Sequence, residues 1–356
     1  MRHEQRKQIQ ALVEQKKLRL PWYINEFFDY LDNDGCSPNT VLTYCRDIDI
    51  FIDWLLAEGF YPGERNTLPL EVLEKLAIRD ITTFQNHCRN VLDNNTNTVG
   101  RKTASLKSLF HYLSQIAEDD NLYPYLKRNV MAKVKINKEK ISEKKKAANI
   151  ANTILLGEEF ADFRSFIASG YGDKIRDQKR KYLSYKHNRE RDLAIISLIL
   201  GSGLRASEAL SIDVNDIDWT KNKVSVNRKG DIDDIVSFSD LAALDLKEYK
   251  DIREGRYNPP SSEKAFFLSM STNTGFSSRL KIRSLQKRFS SYIAMYEKNT
   301  LTIHKLRHSF ATRHYKENND IAMLKEVLNH SDINTTMIYT HVLNEDIHSS
   351  INKTDK

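Results

Sequence analysis

RDLAIISLILGSGLRASEALSI, residues 191–212, and WTKNKVSVNRKGDIDDIVSFS, residues 219–239, decide how this chain folds. The first stretch reads as a buried helix, a Gly-Ser-Gly turn at 201–203, and a second helix starting near Arg205. The second holds the chain's convincing strands. VSVN and IVSFS alternate in polarity, with Lys229-Gly230 in or near the turn between them. Working outward, helical periods dominate on both sides. The expected fold is therefore mainly α with a small β-sheet or hairpin in its larger part.

Upstream, residues 24–126 read as helices. In SPNTVLTYCRDIDIFIDWLLAEG, Ser37 is an N-cap and Pro38 occupies the first helical position. Apolar residues recur at Val41, Leu42, Cys45, Ile48, Phe51, Ile52 and Leu55, and Gly59 ends the run. TASLKSLFHYL repeats the pattern through Leu106, Leu109, Phe110 and Leu113. Composition then shifts. Residues 127–150, KRNVMAKVKINKEKISEKKKAANI, lack a wide apolar face and read as a basic interdomain linker. Residues 1–19 form an N-terminal extension, 20–126 an all-α domain, and 151–356 a larger domain with a C-terminal tail. GYGDKIRDQKRKYLSYKHNRER, within the larger domain, reads as a basic surface excursion.

At 356 residues the chain has room for two separately cored domains. Its formal net charge is +7, and from Lys127 to Lys146 nine Lys/Arg face two Glu, so the basic character is concentrated there. Focused positive charge suits a polyanion partner, nucleic acid or an anionic membrane surface, although a solvated lysine-rich linker has the same composition. No run of 18 apolar residues occurs, so a transmembrane helix is not expected, and of the two polyanions nucleic acid rather than a membrane is the expected partner. The N-terminus has no apolar signal core. Cys36, Cys45 and Cys88 make no CxxC, which disfavours a disulfide framework or zinc site and points to the reducing cytoplasm.

LTIHKLRHSFATRHY, residues 301–315, places His304, Arg307 and His308 on one helix face. His304 and His308 have the spacing of a zinc-binding HExxH pair. Lys305 stands where that motif needs Glu, however, so no metal is expected. A solvated basic helix face has the same pattern. Arg205 is either a surface cation or a guanidinium aimed into a cleft from a fixed helix start. Lys229 is either an ordinary turn residue or a mobile ammonium that reaches a substrate. His330 follows DIAMLKEVLN, where a positive group suits the helix C-terminus. Tyr339, read alone, is a packing residue.

In order, Arg205, Lys229, His304-x-x-Arg307, His330 and Tyr339 resemble the tyrosine recombinases, also called the phage integrase family. SGLRASEAL, NRKGDIDDIVSF, HKLRHSFAT and LNHSDINTTMIYTHV carry the resemblance, and SPNTVLTYCRDIDIFIDWL looks like the family's core-binding domain. The resemblance implies a two-domain DNA clamp: an all-α, SAM-like core-binding domain and a mixed α/β catalytic domain. It implies that Tyr339 attacks a DNA phosphodiester and forms a 3′-phosphotyrosyl bond. Arg205 and Arg307 would hold the phosphoryl oxygens, and Lys229 would protonate the leaving 5′-oxygen. His304 would do acid–base work around the tyrosine, and His330 would bond the phosphate. The covalent intermediate conserves the ester energy, so no cofactor, ATP or metal is implied. His308 supports the site at most. Two positions depart from the commonest family pattern: Asn329 where Gly often precedes the histidine, and Asn227-Arg228 before Lys-Gly.

The implied partner is double-stranded DNA carrying a specific recombination site. Arg101, Lys102, Lys144 and Lys145 are the expected phosphate contacts, with the basic strap crossing the backbone, although a solvated helix terminus accounts equally well for Arg101 and Lys102. Family assembly implies a homo-tetramer on two duplexes. The segment ending in LPWYINEFF and the basic insert near 170–190 point to the branch that resolves chromosome dimers at a dif-like site. A DNA translocase of the FtsK type is that branch's further partner. An integrase of a phage, conjugative or transposable element is the alternative, since it uses the same residues.

Overall fold

In the computed structural model, which describes residues 3–136, 139, 142–228, 232–270, 275–329 and 333–342, the chain divides into two units, residues 1–140 and 141–356. The first is helical: α1 (His3–Lys17), α2 (Trp22–Asn33), α3 (Pro38–Ala57), α4 (Leu70–Lys75), α5 (Ile78–Asn90) and α6 (Thr96–Gln115). α3 begins where its sequence directs. The Ser37 hydroxyl accepts the Thr40 N–H at 3.2 Å, and Pro38 sits where the helix needs no N–H. Its apolar stripe, from Val41 to Leu55, is buried in a core shared with α2, α5 and α6.

Two expectations about this region need correction. Residues 1–19 are not a mere extension, because α1 packs on α3 and buries Val13. Residues 127–150 are for the most part not a free linker. Val130, Met131 and Val134 are buried in the first unit's core. α7 (Glu143–Ala151), capped by Ser142, buries Ala147 and Ile150 in the second unit. The apolar minority is spaced to give each end one buried face, while Lys133, Lys135 and Lys145 stay outside.

The second unit continues with α8 (Glu159–Ser165), α9 (Tyr171–Lys174), α10 (Lys179–Ser202) and α11 (Ala206–Ser211). Strands β1 (Ile217–Asp218), β2 (Lys223–Arg228) and β3 (Ile232–Ser237) form an antiparallel sheet in that order. β2 and β3 pair from Lys223 opposite Ser237 to Arg228 opposite Ile232, as their alternation predicts. α12 (Asp240–Tyr257), the short antiparallel pair β4 (Leu268–Ser269) and β5 (Ser278–Arg279), and α13 (Ile282–Tyr296) follow. α14 (Ile303–Asn318), α15 (Ile321–Leu328) and α16 (Asn334–Val342) complete the unit.

α10 runs through the core. From Leu193 to Leu200 every residue is buried, and α12 packs along it. The insert near 170–190 is not a loop-like excursion: Tyr171, Ile175 and Tyr185 join the core, leaving Arg176, Lys179, Arg180, Lys181 and Lys186 outside.

Candidate active site

α10 stops at Gly203, which adopts φ +70° and returns its N–H to Ile199 O. A side chain there would meet the Phe310 ring at 2.5 Å and the Leu328 methyl at 3.0 Å. Only glycine meets both demands. The chain then extends through Leu204 to Arg205, which opens α11. Glu208, one turn on, closes this start from below. It accepts the Arg205 backbone N–H at 2.8 Å and the Arg205 guanidinium at 2.6 Å. Glu208 is buried, whereas the Arg205 side chain keeps 34% exposure. The second helix near Arg205 was legible in the sequence, and Glu208 was not singled out. Its signal is the reciprocal cap spacing, three residues on from Arg205.

Arg307 comes from α14 and is buried at 3% exposure. Its two terminal nitrogens donate to Gly203 O and Leu328 O, both at 2.7 Å, and one lies 3.9 Å from Glu208. Burial, then Arg205 nearby, brings its pKa down to about 10, so it stays cationic at neutral pH. Arg228, the last residue of β2, also enters this cluster. It pairs with Asp234 at 2.5 Å, approaches Glu208 at 4.0 Å and reaches Leu328 O at 3.4 Å. Sequence reasoning marked Arg228 only as a departure from family pattern. Three guanidiniums thus surround Glu208, with Asp234 the second carboxylate, and positive charge is in excess. Such a place favours an anion with several oxygens.

Tyr339 lies on α16, 2% exposed, packed by Ala311, Leu324 and Leu328. Ile338 beside it packs toward Ala147, Ile150 and Ile154, so α7 supports the helix from its other side. The Tyr339 hydroxyl is 2.8 Å from His308 Nδ1. Burial raises the phenol pKa to about 12, against a smaller opposite pull from Arg307. His304, one turn before His308, meets that ring edge-on at 4.8 Å between centroids. His304 is exposed at its rim, yet partial desolvation lowers its pKa, followed by Arg307, Lys305 and Arg205. Among the described residues no cluster of three His, Cys, Asp or Glu is placed to hold a metal ion.

The structure thus brings Arg205, His304, Arg307 and Tyr339 into one unit around α11, α14 and α16. Lys229 and His330 lie outside the described residues. Each directly follows a described one: Lys229 comes after Arg228, and His330 after Asn329. Asn329 ends α15 with φ +47°, the left-handed conformation glycine would take, so that departure keeps the backbone turn. Of the expected DNA contacts, Lys145 is exposed, and the Lys144 side chain lies outside the described residues. Arg101 pairs with Asp47 and keeps 45% side-chain exposure. Lys102 is a correction: it is 5% exposed with its ammonium 3.5 Å from buried Asp47, which removes it from the surface offered to DNA.

Comparison with known proteins shows the family. A model of the phage integrase family matches residues 177–346, and one of the phage integrase N-terminal SAM-like domain matches residues 23–118. Tyrosine recombinase XerS of Streptococcus gordonii is 33% identical over 96% of this chain and 97% of its own. XerS of Lactococcus lactis subsp. cremoris strain MG1363 has the same identity and coverage. Among solved structures, the XerH site-specific recombinase bound to palindromic difH substrate, a post-cleavage complex, superposes with TM-score 0.64. It shares 22% identity and covers 90% of this chain and 82% of that one. The Tn1549 transposon integrase with transposon right end DNA has TM-score 0.59 at 15% identity, covering 93% and 99%. These two share the fold. With full-length identity to the curated recombinases and both domain models matched, the chain belongs to the phage integrase family and is a site-specific tyrosine recombinase, a DNA strand transferase.

Proposed function

We propose that this recombinase resolves chromosome dimers at a dif-like site during cell division, through a 3′-phosphotyrosyl bond at Tyr339. The observation that carries the task is the end-to-end 33% identity with XerS proteins of two genera. Arg205 and Arg307 grip the phosphoryl oxygens, because a guanidinium pairs two oxygens and stays charged. An incoming phosphate supplies the negative charge that the cluster around Glu208 lacks. Lys229 protonates the leaving 5′-oxygen, His330 bonds a phosphate oxygen, and His304 serves the acid–base chemistry of the tyrosine. The phosphotyrosyl bond keeps the ester energy for resealing, so neither ATP nor a metal enters the scheme.

Arg101, Lys144 and Lys145 contact phosphates and set affinity and salt dependence without reading sequence. Both units contact the duplex. Four protomers act on two duplexes, and an FtsK-type translocase is the further partner. A genome-wide map of covalent protein–DNA adducts tests the task. The expected result is one chromosomal site, present without any mobile element, whose deletion leaves unresolved dimers and chained cells. Adducts confined to the boundaries of an integrated element would make the protein that element's integrase instead.

A further inference from the structure

Of the three guanidiniums around Glu208, that of Arg228 has neither a phosphate to grip nor a proton to move. It is buried, with 4% of its side chain exposed, and its partners come from three other elements. It pairs with Asp234 of β3 at 2.5 Å and donates to Val327 O and Leu328 O at the end of α15, both at 3.4 Å. Glu208 of α11 stands 4.0 Å away. A charge taken out of water is costly unless it is paired, so these contacts fix the side chain and with it the end of β2. The Leu328 carbonyl that takes Arg228 also takes Arg307, which ties the strand end to the frame that holds Arg307. Lys229 is joined to Arg228 by one peptide bond. Gly230 follows, a residue that leaves the backbone unrestrained on the far side.

We propose that Arg228 is a positioning residue for strand transfer: by anchoring the end of β2 to β3 and α15, it sets the place from which Lys229 delivers a proton to the leaving 5′-oxygen. The inference rests on the strand-transfer reading, with Lys229 as the acid, and deepens it. The bond from the tyrosine oxygen to phosphorus forms as the bond from phosphorus to the 5′-oxygen breaks. That 5′-oxygen takes the Lys229 proton, and the phenol proton is taken up in the acid–base chemistry of His304. Arg228 takes no part in either transfer. Loss of its anchor leaves Arg205 and Arg307 on the phosphate and lets the Lys229 ammonium drift from the leaving oxygen.

The test uses the full-length protein on two nicked duplexes carrying the site found by adduct mapping, one ordinary and one with sulfur in place of the bridging 5′-oxygen. A thiolate leaves without a proton, so an acid is needed on the first duplex alone. Each rate is read against the wild type on the same duplex. Arg228→Ala is expected to be about 30-fold slower on the ordinary duplex, within the range for a misplaced catalytic group, and within about threefold of the wild type on the sulfur duplex. Added to Lys229→Ala, it slows the ordinary duplex by less than about twofold more, because the acid is already gone. Arg228→Lys keeps a charge but loses the fork that spans Asp234 and α15, so it shows the same preference for sulfur and carries the test if Arg228→Ala does not fold. Slowing on the two duplexes that differs by less than about fivefold overturns the proposal, since a structural or phosphate-binding role acts on both alike. A full additional loss in the Lys229→Ala background overturns it too. If Lys229→Ala itself is slowed equally on both duplexes, Lys229 is not the acid, and that assignment falls together with this inference. No wild-type adduct on any site overturns the strand-transfer reading as a whole.

Discussion

Glu208 governs where Arg205 points. One oxygen of its carboxylate fixes the backbone start of α11 and the other holds the guanidinium, which keeps a third of its side chain exposed. This arrangement leaves the outer edge of the guanidinium for a phosphate while the inner edge is tethered. Lysine in its place supplies charge but no planar fork, so the phosphoryl oxygens lose their paired donors. Arg205→Lys is expected to slow cleavage by about 100-fold or more, the scale of one lost donor to a developing anion. DNA affinity, set by other phosphate contacts, should hold. Gel shifts and cleavage failing in parallel would break this division of roles. Residues like Arg205 and Tyr339 were legible because their order and spacing are distinctive, although each is bland alone. Arg228 was not, since a charged residue at a strand end reads as solvent-facing, and only the tertiary fold brings Glu208 and Asp234 to it.

At the scale of elements, the junction between α10 and α11 carries the site. Gly203 turns the chain with positive φ, gives its carbonyl to Arg307 and makes room for Phe310 and Leu328. Gly203→Ala is expected to cost roughly 2–4 kcal/mol, combining left-handed strain with overpacking. Denaturant unfolding reads it, and a loss under about 0.5 kcal/mol, the range of ordinary surface changes, would show that the turn relaxes freely. The helix–turn–helix and hairpin were legible here because glycine placement and alternation are local signals. α7 and the packing of residues 130–134 were not. Their few apolar residues lie among lysines, and only packing partners distant in sequence reveal which face they bury. α7 supports α16 through Ile338, so a segment read as linker helps hold the helix that carries Tyr339.

For the whole molecule, residues from Arg205 to Tyr339 are gathered by α11, α14, the end of α15 and α16 into one positively biased site with a buried phenol at its edge. Everything proposed for the chain's biology follows from that phenol becoming covalently joined to DNA. The most direct measurement is to trap the protein on a nicked duplex carrying its site, in EDTA and without ATP. The adduct is then digested with nuclease and protease, and the peptide that keeps a nucleotide is sequenced by mass spectrometry. The account predicts a nucleotide 3′-phosphate on Tyr339, a free 5′-hydroxyl on the released strand, and no adduct from Tyr339→Phe. A nucleotide on another residue, a 5′-phosphate linkage, or an adduct that survives Tyr339→Phe would contradict it.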